Sequence, residues 1–512
     1  MFGNLFTVLD RTARSRRCDA VALSIDGATR TYRQLRSRAL QFANALHALG
    51  ANKGDRVAVL LPNGTAWPEV FFGCAAAGVI CVPVNVLNSA REVEAVIVGC
   101  GARCLVLDEG AAERVADISA LPELVVSVGP VSVSGTIDYE ALLSRAAASP
   151  LPGPGSGELA MLYYTSGTTG APKAAAQTHA GILWNAFQQV PDFGLTDGDR
   201  YLSVPSFSWA AGFHNLVLTL WWLGGSSVVL PTGGVRVDRI ARTAATEHCT
   251  HTFLVPTLLK QLLDAPDLLD VLRASSLRWI ISGAEPVPTT VLEQLNAELP
   301  GCQVVQGYGL SEFPTVATML QTDEAISHAG SAGRAGSVTQ MAIRDADGAI
   351  VESGEGEVLL RSLATMKEYY RNPEATAEVF QDDWLNTGDL GRVDEDGYLT
   401  ITGRKRDLII SGGLNIYPKE IEDVLYRIDG VLEASVVGVP DGRWGEVPVA
   451  VVVPGPGGPS EDDVLGAFAS LAGYKRPRSV LFRDEPLPRT ATGKVLKRDI
   501  APWARAQLES TT

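Results

Sequence analysis

The sequence lacks the cysteine pairs that a disulfide-bonded or zinc-binding scaffold would need. It has seven cysteines among 512 residues, an odd number, and no two of them are spaced as C-x-x-C. An even set of cysteines in a short chain would predict a disulfide framework, and close pairs would predict a structural zinc site. The cysteine pattern therefore indicates neither kind of scaffold.

The sequence also lacks an apolar run long enough to cross a membrane. The longest run, 216–223, ends at Gly224 and Gly225, whereas a span needs about 20 apolar residues. The first residues have no uninterrupted apolar core of the kind that a signal peptide carries, because Asp10 and several arginines interrupt them. We therefore expect a cytoplasmic protein without a membrane span.

Positive charge is in short supply as well. Lysine and arginine number 43 against 58 acidic residues, so the formal net charge is −15. Nucleic-acid binding requires a basic face, and we expect no nucleic-acid partner. With 46% apolar residues and a length beyond that of one compact core, the chain should form at least two globular domains.

Short apolar strands alternate with amphipathic helices along the first 330 residues. In 35–49, for example, Leu35, Phe42 and Leu46 fall on one face, which predicts a helix ended by Gly50. Such alternation is typical of parallel β-α-β units. After 330–336 the pattern changes to short strands and turns. We predict an α/β fold with a large N-terminal domain of layered sheets over 1–404 and a small α+β domain over 405–512.

The stretch 163–173, Y-Y-T-S-G-T-T-G-A-P-K, combines hydroxyl groups, glycines and a lysine after an apolar run. Glycines let backbone N–H groups turn inward, and hydroxyls and a lysine add donors and charge, which suits a polyphosphate. The Walker A spacing G-x-x-x-x-G-K-[ST] is absent. The stretch therefore predicts a phosphate-binding loop of another type, followed by a helix that begins after Thr178.

Five further glycine-bearing turns stand out, and the first two of them follow predicted strands. They are S-G-A-E-P at 282–286, Q-G-Y-G-L-S-E at 306–312, T-G-D at 387–389, S-G-G-L-N at 411–415 and R-T-A-T-G-K at 489–494. In open α/β sheets, ligands bind at the carboxyl ends of the strands, which is where the first two turns fall.

Taken in order, these motifs resemble the adenylate-forming superfamily of acyl-CoA synthetases, adenylation domains and luciferases. The resemblance covers nearly the whole chain, from 164–173 to 489–494. It implies an acid–thiol ligase in which ATP and a carboxylic acid give acyl-AMP and pyrophosphate, after which coenzyme A takes the acyl group and AMP is released. The implied cofactors are ATP, Mg²⁺ and coenzyme A, and the implied partner is a small carboxylic acid.

The resemblance also implies a nucleotide site. Lys494 would stabilise charge as the acid attacks the α-phosphate, and Glu312 would hold Mg²⁺. Tyr308 would stack on adenine, while Asp389 would accept the ribose hydroxyls beside Arg404. The implied catalytic residues are Lys494, Glu312 and Thr165. The implied ATP- and AMP-binding residues are Thr165, Ser166, Gly167, Thr168, Thr169, Gly170, Lys173, Gly283, Ala284, Glu285, Gly307, Tyr308, Gly309, Ser311, Glu312, Asp389, Arg404 and Lys494.

In this superfamily the small domain swings about a hinge between the two half-reactions. The hinge falls on Arg406, where an aspartate or lysine is more usual. The swing would remove Lys494 from the site and bring in the S-G-G-L-N turn, whose glycines admit the thin pantetheine arm. The implied coenzyme A residues are Gly412, Gly413, Arg443 and Lys475.

The acyl-binding segment departs from the common patterns of the superfamily. Ser208 stands where many acyl-CoA synthetases have histidine and amino-acid adenylation domains have aspartate. Without that aspartate a buried ammonium would be unpaired at high cost, which disfavours amino acids. A dicarboxylate would need a second cation, and 203–217 offers only His214. We expect a hydrophobic monocarboxylic acid, bound by Ser208, Trp209, Gly212, Phe213, Gly283, Leu310 and Val316.

Other functions stay open on the sequence alone. They are an acyl-AMP ligase that serves a carrier-protein phosphopantetheine, a malonate-type dicarboxylate ligase, an AMP sensor without turnover, and a luciferase-like oxygenase. The N-I-Y-P-K-E run at 415–420 looks like that of malonate-activating enzymes, but it lies in the predicted C-terminal domain. The protein could be a monomer or a homodimer.

Overall fold

The computed structural model describes residues 3–131, 133, 135–165, 172–283, 285, 287–328, 330–489 and 495–511. The chain divides into two compact units. Unit 1 comprises Met1–Met341, Leu360–Leu385 and Gly397–Leu399, and unit 2 comprises Ala342–Leu359, Asn386–Asp396 and Thr400–Thr512. The sequence predicts that a mobile domain begins at residue 405, and this boundary stays a prediction.

The α-helices are α1 (Phe6–Ala13), α2 (Tyr32–Ala48), α3 (Ala66–Ala77), α4 (Ala90–Cys100), α5 (Glu109–Ala116), α6 (Tyr139–Ser144), α7 (His179–Asp192), α8 (Ala210–Phe213), α9 (Val217–Leu223), α10 (Val237–Thr246), α11 (Pro256–Leu263), α12 (Pro266–Arg273), α13 (Thr289–Glu298), α14 (Pro373–Val379), α15 (Pro418–Leu425), α16 (Glu461–Ala467) and α17 (Lys497–Thr511). No helix in the described ranges combines the length and the hydropathy that a membrane crossing requires.

The first strands are β1 (Val21–Ile25), β2 (Ala28–Thr31), β3 (Arg56–Leu60), β4 (Ile80–Pro83), β5 (Cys104–Asp108), β6 (Leu124–Val128), β7 (Ile137–Asp138), β8 (Leu159–Thr165), β9 (Lys173–Thr178), β10 (Arg200–Ser203), β11 (Ser226–Val229), β12 (His251–Phe253), β13 (Trp279–Gly283) and β14 (Gln303–Leu310). The others are β15 (Phe313–Leu320), β16 (Arg334–Ala335), β17 (Gln340–Arg344), β18 (Ile350–Val351), β19 (Gly354–Arg361), β20 (Glu368–Tyr369), β21 (Phe380–Gln381), β22 (Trp384–Val393), β23 (Leu399–Arg404), β24 (Ile409–Ser411), β25 (Leu414–Ile416), β26 (Val431–Asp441), β27 (Gly445–Pro454) and β28 (Ser479–Phe482).

Unit 1 contains two layered sheets. One has the order β16-β15-β14-β13-β12-β10-β11-β1-β2, and the other β20-β9-β8-β4-β3-β5-β6-β7. Strands β10 to β14 run parallel in the first, and β3 to β6 with β8 run parallel in the second. These parallel strands with intervening helices confirm the predicted α/β class, and they bring the carboxyl ends of β8, β13 and β14 to functional turns.

Helix α2 illustrates how local sequence fixes an element. The Thr31 hydroxyl accepts the Gln34 N–H while the Gln34 side chain accepts the Thr31 N–H, which is a capping box. Leu35, Phe42 and Leu46 are fully buried, as their spacing predicts. The capping of two backbone N–H groups therefore accounts for where this helix begins, and its apolar stripe accounts for which face is buried.

Two strands differ from the sequence prediction. The glycine turn at 306–312 was expected to end a strand at Gln306, but β14 continues to Leu310 and pairs with β15 through a tight turn before Phe313. Strand β9 was not predicted at all. It pairs antiparallel with β8 and with β20, so both flanks of the phosphate loop are part of one sheet.

Unit 2 is built around an antiparallel pair of long strands. Strands β26 and β27 pair from Val431 to Pro454, and β28 runs parallel beside β27. Helix α15 packs on this sheet through Ile421 and Leu425, which are fully buried. The hairpin β24–β25 meets the sheet where Ser411 lies opposite Gly445. Unit 2 therefore has the α+β texture that the sequence predicts for the end of the chain.

Candidate functional site

The hairpin β8–β9 carries both ends of the predicted phosphate loop. Thr165 lies opposite Lys173, and the Thr165 hydroxyl donates to the Lys173 carbonyl oxygen at 3.3 Å. Strand β8 is parallel to β4, so Thr165 ends a parallel strand. The hairpin therefore holds both ends of the loop at a strand terminus that suits ligand binding. The loop residues Ser166, Gly167, Thr168, Thr169 and Gly170 lie outside the described residues.

Tyr369 connects the loop lysine to the predicted magnesium ligand. Strand β20 places Tyr369 opposite Ala175 of β9. The Lys173 ammonium lies over the Tyr369 ring, 5.4 Å from its centroid, and the Tyr369 hydroxyl donates to Glu312 Oε1 at 2.7 Å. Burial and the charge of Glu312 raise the pKa of Tyr369, so the phenol keeps its proton. The sequence did not identify Tyr369 as a site residue.

The backbone around Glu312 is held from the same side of the sheet. The Gln177 side chain, fully buried on β9, donates to the Ser311 carbonyl oxygen at 3.0 Å. The Met366 N–H donates to the Glu312 carbonyl oxygen at 2.7 Å. Ser311 and Glu312 therefore occupy a turn that is fixed by hydrogen bonds to β9 and to the segment before β20.

Glycines bring strands β13 and β14 together beside Tyr308. Gly283 lies opposite Gly307, and a Cβ on Gly283 would meet the Gly307 carbonyl oxygen at 2.6 Å. A Cβ on Gly309 would meet the Thr315 carbonyl oxygen at 1.8 Å. Side chains at these positions would separate the strands, so the glycines allow a thin wall next to a half-buried tyrosine. Glu285 is exposed just beyond, and Ala284 lies outside the described residues.

The predicted acyl segment begins with a buried serine pair. Ser206 Oγ and Ser208 Oγ are 2.9 Å apart, and a Cβ on Gly212 would lie 1.8 Å from the Ser206 carbonyl oxygen. Trp209 is half-buried, and its indole N–H is buried. Phe213 is fully buried among aromatic rings, so it is a core side chain in this structure. Its ring neighbours are Trp67, Phe71, Phe72, Phe207 and Trp221.

The remaining two acyl positions lie at the glycine wall. Val316 is buried, and its Cγ1 would lie 3.7 Å from a Cβ placed on Gly307. Leu310 is half-buried and pairs with Phe313 across the turn between β14 and β15. Both residues are thus beside the strand that carries Tyr308.

His214 is buried in an apolar setting. Its ring nitrogens each lie 3.2 Å from the Tyr163 hydroxyl, and Nε2 lies 3.0 Å from Met161 Sδ. Burial lowers the pKa of His214 from 6.5 to about 3. The imidazole is therefore neutral at physiological pH and carries no charge for a second carboxylate.

In unit 2 the two predicted ribose residues are paired. Arg404 Nε lies 3.0 Å from Asp389 Oδ1, and Asp389 is buried. The Thr387 hydroxyl accepts the Asp389 N–H at 3.1 Å and donates to the Val358 carbonyl oxygen at 2.8 Å. Partial burial and the nearby Arg404 lower the pKa of the predicted hinge residue Arg406. Asp389 and Arg404 thus form an ion pair that orients the Asp389 carboxylate.

The predicted coenzyme A residues fall into two places in unit 2. Gly412 and Gly413 have positive φ, and a Cβ on Gly412 would lie 2.7 Å from the Trp444 ring. Arg443 and Arg478 each place a guanidinium near that ring, at 4.9 and 5.3 Å from its centroid. Trp444 was not predicted, although the sequence run D-G-R-W-G-E shows an aromatic residue beside a predicted arginine.

Lys475 belongs to a separate contact. Its ammonium pairs with the Glu420 carboxylate at 2.7 Å, and this contact raises the pKa of Lys475. Of the predicted coenzyme A residues, Arg443 and Gly412 lie beside the Trp444 ring, with Gly413 next in the chain, whereas Lys475 pairs with Glu420 instead. Lys494 lies outside the described residues.

The family comparison agrees with the arrangement of these motifs. Residues 9–370 match the sequence profile described as AMP-binding enzyme, and residues 420–494 match that of the AMP-binding enzyme C-terminal domain. The chain belongs to the AMP-binding enzyme family, in the acyl-CoA synthetase group of the adenylate-forming superfamily. It is an AMP-forming acid–thiol ligase that works in two steps, acid adenylation followed by thioester formation.

Relatives resemble the chain over nearly its full length. A long-chain-fatty-acid–CoA ligase of Mycobacterium tuberculosis is 36% identical over 91% of this chain and 92% of its own. A feruloyl-CoA synthase of an Amycolatopsis species is 36% identical over 94% of this chain and 95% of its own. A solved fatty acyl CoA synthetase of M. tuberculosis has a TM-score of 0.79 at 33% identity, over 98% of this chain and 99% of its own.

Proposed function

We propose that this enzyme activates a hydrophobic monocarboxylic acid with ATP and transfers the acyl group to coenzyme A. The observation that carries the choice of acid is the neutral, buried His214. It is the only basic residue in 203–217; burial lowers its pKa to about 3, and its ring nitrogens already face the Tyr163 hydroxyl and Met161 Sδ. A malonate-type dicarboxylate would leave one charge unpaired in this segment, at a cost of several kcal/mol.

The chemistry of the relatives supports the same choice. Those named above act on long-chain fatty acids and on ferulate, and a third relative, 35% identical, is an indoleacetate–CoA ligase. Each of these acids has one carboxylate on an apolar or aryl body. Ser208, Trp209, Gly212, Gly283, Leu310 and Val316 are the residues proposed to contact that body. We assign Phe213 to the packing beneath them, because its ring is fully enclosed.

For the nucleotide we propose the roles that the superfamily pattern gives. The loop from Thr165 to Lys173 holds the β- and γ-phosphates, and Tyr308 stacks on adenine. Asp389, already oriented by its ion pair with Arg404, accepts the ribose hydroxyls. The remaining nucleotide residues act through the backbone at Gly283, Ala284, Glu285, Gly307, Gly309 and Ser311.

Glu312 is the proposed magnesium ligand. Mg²⁺ in nucleotide enzymes is usually bound by one or two carboxylates together with phosphate oxygens, and a half-buried glutamate suits that role. The bound ion would neutralise charge on the phosphates. Tyr369 donates to Oε1 and so fixes the orientation of the carboxylate plane.

Lys494 is the proposed catalytic residue of the first step. Its ammonium stabilises the charge that develops as the acid carboxylate attacks the α-phosphorus and pyrophosphate leaves. We propose that it lies on a mobile domain over 405–512 that turns about Arg406. Thioester formation would then use the turn at Gly412 and Gly413, with Arg443 and Lys475 near the nucleotide of coenzyme A.

The test is acid-dependent AMP formation by the purified enzyme, with and without coenzyme A. The panel contains a long-chain fatty acid, ferulate, indoleacetate, malonate and an amino acid, and acyl-CoA is detected by mass. We expect turnover with at least one apolar monocarboxylate and none with malonate. Turnover with malonate alone would overturn the choice of acid, and transfer only to a phosphopantetheinylated carrier would overturn the choice of thiol. A cytoplasmic location and a monomeric or homodimeric state belong to the same proposal.

A further inference from the structure

Helix α7 carries three side-chain amides that are buried. Asn185, Gln188 and Gln189 are each at most 1% exposed. Helix faces toward a core are normally apolar, and buried amides persist where their hydrogen bonds are satisfied. Here those bonds reach 214–216 and 315–316, two segments on which the proposed acid site depends.

Gln189 holds the end of the acyl segment. Its Nε2 donates to the His214 carbonyl oxygen at 3.2 Å, and its Oε1 accepts the Leu216 N–H at 2.8 Å. The Thr219 hydroxyl shares its one hydrogen between Oε1, at 3.2 Å, and the Ala186 carbonyl oxygen, at 3.1 Å. Leu216 has φ +64°, which a non-glycine residue rarely adopts. One amide thus bonds the main-chain groups on either side of Asn215, next to the strained Leu216. These bonds fix the turn that ends 208–216.

Asn185 holds the opposite strand. Its Oδ1 accepts the Thr315 N–H at 2.9 Å, and its Nδ2 donates to the Val316 carbonyl oxygen at 3.0 Å. Gln188 donates to the same carbonyl oxygen at 2.8 Å. Because β15 already pairs with β14 and β16, these bonds tie a fixed strand of the sheet to the helix.

The two anchor points are joined directly. Gln189 Nε2 also lies 3.2 Å from Asn185 Oδ1, one helical turn away, and donates to it. The Val316 strand and the 214–216 turn are therefore connected through two side chains on one rigid element. Apolar packing alone tolerates shape changes, whereas a satisfied amide pair has one geometry.

We propose that Asn185 and Gln189 are positioning residues that set the spacing of the acyl site and hence its choice of acid. The inference rests on the proposed function, because it takes 208–216 and Val316 as the two walls around the acid. None of the hydrogen bonds described above joins either amide to a proposed nucleotide-binding residue. Changing either amide should therefore alter selection between acids. The KM for ATP should stay unchanged when Gln189 is replaced, whereas Asn185 holds Thr315 and Val316, which lie against Gly309 and Gly307, and its variant is judged on the acid ratio alone.

The test compares Gln189→Met and Asn185→Leu, which keep approximate volume and remove the amides. The readout is kcat/KM for a slim straight-chain acid and a broad aryl acid, together with the KM for ATP. We expect the ratio between the two acids to change by about tenfold in each variant, the scale of a small change in pocket shape, with the KM for ATP unchanged in Gln189→Met. The double variant should change the ratio by less than the product of the single changes, because the two amides act through one contact.

Thr252→Val is the matched control. The Thr252 hydroxyl is fully buried and donates to the Leu202 carbonyl oxygen at 3.0 Å, and its strand β12 contains none of the proposed acyl residues. It should lower stability and leave the acid ratio at the wild-type value. If Gln189→Met does not fold, Asn185→Leu carries the test by itself, since it breaks the other end of the link and leaves the bonds of Gln189 to His214 and Leu216 in place.

The outcomes separate the two proposals. An unchanged acid ratio in folded amide variants of an active enzyme would overturn this inference and leave the proposed function intact. A parallel rise in the KM for ATP of Gln189→Met would also overturn it, because a general structural defect would then explain the change. A wild-type enzyme that forms no AMP with any acid would overturn both.

Discussion

Replacing Tyr369 by phenylalanine isolates one hydrogen bond at the proposed magnesium site. The substitution removes the hydroxyl that donates to Glu312 Oε1 at 2.7 Å. It keeps the ring over which the Lys173 ammonium lies. The backbone pairing of β20 with β9 is also kept, since it uses main-chain groups only. The variant therefore tests the orientation of the Glu312 carboxylate without changing the hairpin around it.

The expected magnitude follows from the charge and burial of the pair. A hydrogen bond to an ionised group contributes about 1.5–3 kcal/mol. Glu312 is half-buried, so water can partly replace the phenol, and the lower end of this range applies. About 1.5 kcal/mol corresponds to roughly tenfold in kcat/KM for adenylation. Loss of the ring as well, in Tyr369→Leu, should cost a further ~0.5–1 kcal/mol through the cation–π contact.

The assay is acid-dependent pyrophosphate release as a function of Mg²⁺ concentration at saturating ATP. We expect Tyr369→Phe to need more Mg²⁺ for half-maximal rate, while thioester formation from supplied acyl-adenylate stays close to wild type. Tyr370→Phe is the control, because Tyr370 is the neighbouring half-buried tyrosine and its ring faces Arg371. A Tyr369→Phe enzyme with the wild-type magnesium dependence would refute the role given to this contact.

Three other predictions concern different steps. Lys494→Ala should lower adenylation by ~10²–10³-fold and retain much of the thioester step when acyl-adenylate is supplied; equal losses in both would contradict the mobile-domain proposal. Gly412→Ala, with its Cβ 2.7 Å from the Trp444 ring, should impair thioester formation more than Gly413→Ala, which meets no atom within 4 Å although both have positive φ; half-reaction rates decide this. His214 has a pKa of about 3 folded against 6.5 unfolded, so the unfolded state binds the extra proton between these values and stability falls as pH drops below 6.5. His214→Gln should therefore reduce the slope of the unfolding free energy against pH, between pH 7 and 5, by up to ~1.4 kcal/mol per pH unit. Urea denaturation at several pH values measures this slope, and an unchanged slope would contradict the buried neutral state.

Elements with strong local signals were predictable from sequence. Helix α2 has a capping box and an apolar stripe, and α7 begins after Thr178 as expected, with the Thr178 hydroxyl accepting the Gly181 N–H. Strand β9 was missed because K-A-A-A-Q-T has few residues that favour strands. Its pairing with β8 and β20 is a tertiary effect that the local sequence does not encode.

In the candidate site, too, residues in local motifs could be predicted from sequence, and residues placed by tertiary pairing could not. Glu312 and Lys173 belong to motifs with fixed spacing, so their positions could be read directly. Tyr369 is 57 residues from Glu312 along the chain, and only the pairing of β20 with β9 brings it there. The amides of α7 resemble an ordinary polar helix face in sequence. Their function depends on burial, which spacing alone does not give.

The hydrogen bonds from α7 have a consequence for redesigning this enzyme by exchange of segments. A segment 206–216 grafted from a relative would bond to Gln189 of the host helix only if its backbone at 214 and 216 took up the same turn. A graft that also carries 179–192 would bring its own residue at 185, and the bonds that Asn185 makes to Thr315 and Val316 would form only if the host strand fitted the new helix. The smallest transferable module for acid choice is therefore discontinuous: one helix, one loop and one strand, moved together.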